Sequence, residues 1–265
     1  MTDSVPEPAP SGPADDGETD APQVFSVVSS ERKFDGRIAS VRVDEVVMPG
    51  GSTAKREVVE HGGAVAVVAL DTAGPLDQAA DFEVVDAQES ADVVILIEQY
   101  RHAMGRRLWE LPAGLLDVAD EPALAAAKRE LYEETGYAAE HWSVLLDVAT
   151  SPGFTEETVR IYLATGLTLG GRPDSEHEEA DLRVVRVPLT VAVESVLAGR
   201  IVNVMAVAGI LAADAVLRGS AVPVDRSDES QHDQNQPWTV HRGAGAPAAP
   251  VLMGSDLAVD GSADR

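Results

Sequence analysis

The order of the apolar segments predicts an α/β (α+β) fold in which a mixed β-sheet lies between helices. Residues 64–70 and 93–98 are almost continuously apolar, which is typical of paired strands that are buried on both faces. An Ala/Leu-rich segment between Pro122 and Gly136 predicts a helix, because Pro favours the first helical turn and Gly the C-terminal cap. Strands on both sides of this helix, with more helices at the end, indicate such a layered fold.

The N-terminal part predicts a separate small sheet. Residues 1–22 are rich in Pro, Ala, Ser, Gly and acidic side chains, so we expect a disordered acidic tail. Short Val- and Ile-rich runs follow between residues 24 and 59, separated by Gly50 and Gly51, and predict antiparallel strands. We therefore assign residues 23–60 to an N-terminal β subdomain and expect an exposed acidic loop at 71–92.

After the first helix, the pattern predicts more strands and then two helices. Residues 142–148 and 159–164 are expected to be strands around a turn at 151–153, and an acidic loop at 166–179 precedes a strand at 184–187. Helical segments begin at Thr190 and are separated near Gly199. The main domain thus covers residues 61–220, and the polar residues 221–265 predict a mostly disordered tail.

Composition limits the partners and the compartment. The 265 residues carry a formal net charge of -25, which argues against a nucleic-acid partner because such binding relies on Lys and Arg. Residues 201–217 are shorter than the roughly 20 apolar residues that a bilayer requires, and Asn203 and Asp214 interrupt them. We expect a buried helix there and no membrane partner. Without cysteine or a signal peptide, the chain is expected to be a soluble cytoplasmic protein.

Three glutamates of the predicted helix indicate a cation site. Glu130, Glu133 and Glu134 are spaced i, i+3 and i+4, so they project from one face, next to the face of Leu124 and Leu131. Like charges at these spacings repel by roughly 0.2–0.5 kcal/mol per pair, so a positive group should lie beside them. Mg²⁺ shared with substrate phosphates is one interpretation, and a solvated acidic face is the other.

This helix and the loop before it resemble the Nudix box, the signature of pyrophosphohydrolases that cleave a nucleoside diphosphate linked to another group. The positions that carry the resemblance are Gly114, Glu121, Arg129-Glu130-Leu131, Glu133-Glu134 and Gly136. Six residues separate Gly114 from Glu121 where the usual pattern has five, and Tyr137 replaces the usual aliphatic residue. The insertion lies before the helix, so it weakens any role for Glu121 but leaves the spacing of Arg129 to Glu134 intact.

Other segments are similar to the ADP-ribose pyrophosphatase branch of this family, over roughly residues 56–217. They are Arg56-Glu57-Val58-Val59, Glu98-Gln99-Tyr100-Arg101, Trp109-Glu110-Leu111-Pro112-Ala113-Gly114 and Ser151-Pro152-Gly153. In that branch, a proline at the position of Pro152 is associated with ADP-sugar substrates. The resemblance implies the Nudix fold, a mixed sheet between helices, with an N-terminal antiparallel sheet that helps to form a homodimer.

The resemblance also implies a metal site. Glu130 and Glu134 are expected to hold Mg²⁺ directly, with Glu133 assisting and the carbonyl of Ala113 as a further ligand; Mn²⁺ is a second candidate ion. These groups would bridge two phosphates and position or deprotonate a water molecule. Arg129 is expected to orient the glutamates, and the alternative is an ordinary arginine on the helix surface.

A general base and two phosphate-binding arginines complete the implied site. The base is expected in the acidic loop, at Glu178 or Glu179, and the residue that is not the base would be a solvated loop glutamate. Arg56 and Arg101 are placed like the phosphate-binding arginines of the family, whose planar fork suits phosphate oxygens. Structural salt bridges are the alternative for both. Trp109 is expected in the core rather than as a stacking platform.

The expected function is Mg²⁺-dependent hydrolysis of ADP-ribose to AMP and ribose 5-phosphate. The box contacts only the pyrophosphate, so another ADP-sugar, NADH, a diadenosine polyphosphate or a nucleoside triphosphate are alternative substrates. A further alternative is a sensor that binds ADP-ribose without cleaving it. The sequence lacks a G-x-G-x-x-G fingerprint, a Walker lysine loop and a G-x-S-x-G elbow, which argues against dinucleotide oxidoreductases, P-loop NTPases and serine hydrolases.

Overall fold

The protein is described by a computed structural model that places residues 25–71, 82, 92–171 and 181–220. The predicted tails at 1–22 and 221–265 lie outside these residues, as do nearly all of the predicted loop at 71–92 and much of the loop at 166–179.

The N-terminal residues form a small antiparallel sheet, as predicted. Its strands are β1 (Val27–Asp35), β2 (Ser40–Val47) and β3 (Thr53–Glu60), in the order β1-β2-β3. Gly50 and Gly51 make the turn between β2 and β3 with φ of 95° and 84°, a region that favours glycine. All residues of β1 are exposed, so this sheet has an open edge strand.

A second, mixed sheet forms the centre of the molecule, with strand order β10-β5-β4-β9-β8 and two short strands attached, β6 to β5 and β7 to β4. The β4–β9 pair is parallel and the other pairs are antiparallel. Its strands are β4 (Ala64–Asp71), β5 (Val93–Arg101), β6 (Arg106–Glu110), β7 (Ala113–Leu115), β8 (Tyr137–Ala149), β9 (Thr158–Leu169) and β10 (Arg183–Pro188).

Strand β4 supplies side chains to two hydrophobic cores. Ala64, Ala66, Val68 and Leu70 face one core, and the residues between them face the other. Helices α2 (Leu189–Leu197) and α3 (Val204–Leu217) cover the first core, and α1 (Ala123–Thr135) covers the second. The predicted two-sided burial of this segment and the predicted sheet between helices are both confirmed.

One strand prediction is confirmed over a short length only, and one loop boundary needs correction. Residues 93–98 are predicted as the partner of residues 64–70, and β5 is an antiparallel neighbour of β4, paired at Leu70 with Val94 and at Asp71 with Val93. The long neighbour of β4 is β9, in a parallel pair that the local pattern does not encode. The loop predicted from Gly166 also begins later, because β9 continues to Leu169 with Gly166 at φ 71°.

The predicted helices are present. Helix α1 begins at Ala123. Pro122, predicted within the first turn, is instead the N-cap residue directly before the helix. It ends at Gly136, whose φ is 76° and whose N–H donates to the carbonyl of Tyr132 at 2.8 Å, so the predicted glycine cap is confirmed. Among the described residues, none of the helices has the length and apolar character to cross a membrane.

The end of β3 is joined to the turn between β8 and β9. The N–H of Val59 donates to the carbonyl of Phe154 at 2.7 Å, and the N–H of Glu156 donates to the carbonyl of Val59 at 3.2 Å. Arg42 of β2 also donates to Glu60 at 2.8 Å and to Glu156 at 3.2 Å. The segment with the Ser151-Pro152-Gly153 turn is therefore fixed to the N-terminal sheet.

Candidate active site

Arg129 is the positive group beside the glutamates of α1. Its Nη1 donates to Glu130 at 2.7 Å and to Glu133 at 3.0 Å, and its Nε and Nη2 each donate to Glu121 at 3.0 Å. Hydrogen bonds to Glu121 are the largest cause that raises the pKa of Arg129 above its ordinary value, and the same bonds lower the pKa of Glu121. One arginine thus compensates three carboxylates.

Glu121 belongs to this cluster despite the extra residue before it. The extra residue in the loop argues against a role for Glu121. In the structure, however, both oxygens of its carboxylate accept hydrogen bonds from Arg129. The longer loop contains a turn in which Asp120 has φ 61°, a conformation that Asp tolerates better than most residues. The additional residue is accommodated before the helix, so the pairing of Glu121 is preserved.

Glu134 and the backbone of β7 are in direct contact. The side chain is buried, and its Oε2 accepts a hydrogen bond from the N–H of Ala113 at 2.9 Å. At Gly114, a Cβ atom would lie 2.0 Å from the carboxylate of Glu130, so a larger residue would force the Glu130 side chain to move. The backbone of residues 113–114 therefore lies against Glu130 and Glu134, and their role as metal ligands stays a prediction.

The chemistry of these groups fits Mg²⁺. The candidate ligands are carboxylates and one backbone carbonyl, which are hard oxygen donors of the kind that Mg²⁺ prefers. In the described part of the chain, no set of three acidic or histidine side chains already converges on one point. Glu130 and Glu133 accept hydrogen bonds from Arg129, and Glu134 accepts one from the N–H of Ala113.

Arg101 is held by a fully buried carboxylate. Its Nε and Nη2 donate to the two oxygens of Glu110 at 2.8 and 2.6 Å, and Glu110 is 0% exposed. Glu110 pairs with Ile97 across the β5–β6 hairpin, and Ile97 is on the same face of β5 as Ile95, which packs in the core beneath α1. Arg101 and Glu110 therefore lie on the face of the sheet that carries α1.

The remaining residues that the sequence analysis considered are not part of this cluster in the described part of the chain. Arg56 lies on β3 of the N-terminal sheet, where its guanidinium donates to the carbonyl of Lys55 at 2.9 Å and contacts Sδ of Met48 at 3.5 Å. Trp109 is 7% exposed and packs on Phe82 with ring centroids 4.9 Å apart, so it belongs to the core as expected. Glu178 and Glu179 lie outside the described residues.

Sequence reasoning did not single out Glu110 as a site residue. The signal that could have found it is an acidic residue between Trp109 and Leu111, because a carboxylate inside an apolar run needs a partner if the run is buried. The partner itself could not be read from the sequence, since the hairpin register decides which arginine reaches Glu110.

Comparison with protein families gives two matches. The family described as NUDIX domain matches residues 75–202, and the family described as nucleoside diphosphate sugar hydrolase N-terminal domain matches residues 26–59. The second match coincides with the N-terminal sheet.

Individual relatives agree with these matches. The chain is 50% identical over 199 residues to the ADP-ribose pyrophosphatase of Mycobacterium tuberculosis, covering 75% of this chain and 87% of that protein. It is 33% identical over 169 residues to the ADP-ribose pyrophosphatase of Bacillus subtilis, covering 64% and 81%. A methanol dehydrogenase activator of Bacillus methanolicus is 38% identical over 141 residues, covering 53% and 66%.

A solved structure shares the fold. The structure described as an ADP compounds hydrolase aligns with a TM-score of 0.58 and 22% identity, covering 75% of this chain and 97% of that one. The box helix, the N-terminal sheet and this shared fold agree with the relative that is matched over 87% of its length. The chain belongs to the Nudix hydrolase family and is an enzyme of that family.

Proposed function

We propose that this enzyme is a Mg²⁺-dependent ADP-ribose pyrophosphatase that converts ADP-ribose and water to AMP and ribose 5-phosphate. The observation that carries the chemistry is the contact of Glu130 and Glu134 with the backbone at Ala113 and Gly114. The substrate is supported by the 50% identical relative from Mycobacterium tuberculosis, which is named an ADP-ribose pyrophosphatase.

Each residue has a defined task in this proposal. Glu130, Glu134 and the carbonyl of Ala113 would hold Mg²⁺, with Glu133 assisting. When bound, the ion withdraws charge from the phosphorus under attack and lowers the pKa of a bound water molecule. Arg129 keeps the carboxylates in place through its hydrogen bonds.

The reaction is a displacement at phosphorus. Water attacks one phosphorus of the diphosphate, its new P–O bond forms, and the bond from that phosphorus to the bridging oxygen breaks. Arg56 and Arg101 would hold the phosphate oxygens through charge-assisted hydrogen bonds. Glu178 or Glu179 would accept the proton from water, and the choice between the two stays open.

The metal assignment is tested with Glu134→Gln. Purified wild-type enzyme with Mg²⁺ is expected to release AMP and ribose 5-phosphate in equal amounts, measured by chromatography. The substitution removes one charged ligand and is expected to lower kcat at least about 100-fold, since metal-held phosphoryl chemistry depends on that charge. Glu140→Gln, an exposed glutamate on β8, is the control and should retain activity. Turnover of Glu134→Gln within a factor of two of wild type would contradict the assignment.

The substrate needs its own experiment. Values of kcat/KM for ADP-ribose, other ADP-sugars, NADH, diadenosine polyphosphates and nucleoside triphosphates rank the alternatives, because this ratio measures discrimination between substrates. ADP-ribose is expected to rank first. A sensor would instead bind ADP-ribose with micromolar affinity and turn it over slowly or not at all.

The proposed enzyme is a homodimer that works in the cytoplasm. The support for a dimer is the set of exposed apolar side chains on and beside β1, namely Phe25, Val27, Val28, Phe34 and Ile38. A second copy of the chain, packed on this sheet, would cover them. The N-terminal sheet is joined to the turn between β8 and β9, so the dimer contact would lie close to a segment that resembles substrate-specific motifs of the family.

A further inference from the structure

We propose that Glu110 is a positioning residue that orients Arg101 toward the diphosphate of the substrate. This inference rests on the proposed function for the role of Arg101. The observation behind it is the two-point contact of Arg101 Nε and Nη2 with a carboxylate that is 0% exposed.

The geometry requires Arg101 to fold back along the hairpin. Arg101 is opposite Arg106, whereas Glu110 is opposite Ile97, so the two Cα positions are about 13 Å apart at 3.3 Å per residue. An extended arginine at the end of a strand would reach solvent. Glu110 instead draws the guanidinium over the strand, onto the face of the sheet that carries α1 and its glutamates.

The contact also selects which edge of the guanidinium is used. Glu110 engages the edge formed by Nε and Nη2. A guanidinium has a second edge, formed by its two Nη atoms, that can meet phosphate oxygens in the same planar way. With 39% of its side chain exposed, Arg101 is accessible to a ligand while its partner is not.

Glu110 is also connected to the metal-binding residues through a short peptide. Three residues after it, the N–H of Ala113 holds Glu134, and the carbonyl of Pro112 accepts a hydrogen bond from Val67 in the centre of the sheet at 2.9 Å. Residues 110–113 therefore fix the arginine and the helix glutamate relative to each other. A diphosphate bound between Arg101 and Glu134 would therefore contact two groups whose relative positions are fixed.

A purely structural ion pair is the competing explanation, and burial alone does not exclude it. The Arg186–Asp71 pair offers a matched control on the same face of the sheet. Its Nη2–Oδ2 distance is 3.0 Å, with side chains that are 11% and 25% exposed. Asp71 is opposite Val93 on β5, four residues from Ile97, which is opposite Glu110, so the two acidic residues are about 13 Å apart along the strand.

The experiment measures binding before turnover. Glu110→Gln, Asp71→Asn, Arg101→Lys and the double variant of Glu110→Gln with Arg101→Lys are titrated calorimetrically with α,β-methylene ADP-ribose and Mg²⁺. We expect Glu110→Gln to raise Kd about 10-fold, because a charge-assisted contact is lost, and Asp71→Asn to leave Kd within twofold. In the Arg101→Lys background, Glu110→Gln should add less than threefold, since its effect passes through Arg101.

Turnover then separates positioning from general damage. On the best diphosphate substrate, Glu110→Gln is expected to raise KM about 10-fold while kcat stays within about threefold, because Arg101 holds the substrate in the ground state and in the transition state alike. If Glu110→Gln does not fold, Glu110→Asp, which keeps the charge but shortens the reach, should raise Kd at least threefold.

The possible failures are distinct. An unchanged Kd and KM in folded Glu110→Gln, or full additivity with Arg101→Lys, would show a structural pair only and overturn the inference. Wild-type enzyme that binds the analogue without hydrolysing ADP-ribose would overturn the proposed function. The role of Glu110 would then be decided by the Kd of Glu110→Gln alone. Wild-type enzyme that does not bind the analogue would refute both.

Discussion

At the scale of single residues, Arg129 determines the electrostatics of the helix face. Its hydrogen bonds to Glu121, Glu130 and Glu133 compensate three carboxylates that lie close together. Glu130 and Glu133 would otherwise repel each other in the C-terminal half of the helix, where the helix dipole is negative. Arg129 therefore stabilises the arrangement of these side chains.

The lowered pKa of Glu121 predicts a defined acid sensitivity. A carboxyl group whose pKa is lower in the folded state contributes stability above its ordinary value of 4.5 and loses this contribution as the pH falls through the lower folded value. Glu121→Gln is therefore expected to lower the free energy of unfolding at pH 7 and to have a smaller effect as the pH falls through the folded pKa. Urea titrations of both proteins between pH 3 and 7 measure the difference, and a difference that does not change with pH would contradict the pairing.

The residue types of the site could be predicted, but the contacts between them could not. The i, i+3, i+4 spacing places Glu130, Glu133 and Glu134 on one side of any helix, and this holds in the structure. That Arg129 would reach Glu121, across a loop of unusual length, depends on a backbone turn at Asp120 that has no sequence pattern of its own. The partner of Arg101 likewise depends on the hairpin register.

At the scale of elements, α3 lies unusually close to the central sheet. A Cβ atom at Gly209 would approach Cδ1 of Leu111 and Cγ2 of Val68 to 2.8 Å each. Real Cβ atoms do not come so near to other side chains, so this glycine sets the separation of helix and sheet. Leu111 lies two residues before β7, the strand that contacts Glu134 of α1, so α3 packs against the segment behind the candidate site.

Gly209→Ala tests this packing. Overpacking of a core costs about 1–3 kcal/mol, whereas alanine gains about 1 kcal/mol in helix propensity over glycine. The net expectation is a loss of up to about 2 kcal/mol in the free energy of unfolding, measured by urea titration. Gly153→Ala, where nothing lies within 4 Å, is the control and should be neutral or slightly stabilising. A stability gain for Gly209→Ala would refute the tight packing.

Element types were easier to predict than element pairing. The continuous apolar run of β4 identified a strand buried on both faces, and glycine and proline marked the ends of α1. The short strands β6 and β7 were not predicted, because their residues alternate poorly and include Pro112 between them. The parallel neighbour of β4 is supplied by residues far along the chain, which a local pattern cannot reveal.

At the scale of the whole molecule, the N-terminal sheet is an exposed platform attached to the catalytic domain. Arg42 connects it to Glu60 and Glu156, and the N–H of Val59 pairs with the carbonyl of Phe154. The apolar side chains of β1 face away from any core that the described residues form. An oligomer contact is the arrangement that would bury them.

Val28→Asp tests the proposed dimer. Val28 is 59% exposed in the single chain, and a charge there would be buried in the proposed contact. We expect the dimer dissociation constant to rise at least about tenfold, equivalent to about 1.4 kcal/mol, in sedimentation equilibrium. Ser30→Asp adds the same charge to an exposed polar position of β1 and is the control. A wild-type chain that is monomeric at micromolar concentration would contradict the dimer, and an unaffected Val28→Asp dimer would contradict its location.

The parallel pair of β4 and β9 also affects how the chain is made. Ala64 pairs with Val159, so roughly 95 residues must be synthesised between them, which takes roughly 5–20 s at common ribosomal rates. During this interval β4, the most apolar strand, is already translated but lacks its longest neighbour. We therefore expect nascent chains to be more prone to aggregation between the synthesis of β4 and that of β9, and chaperones that bind apolar strands would protect them in this interval.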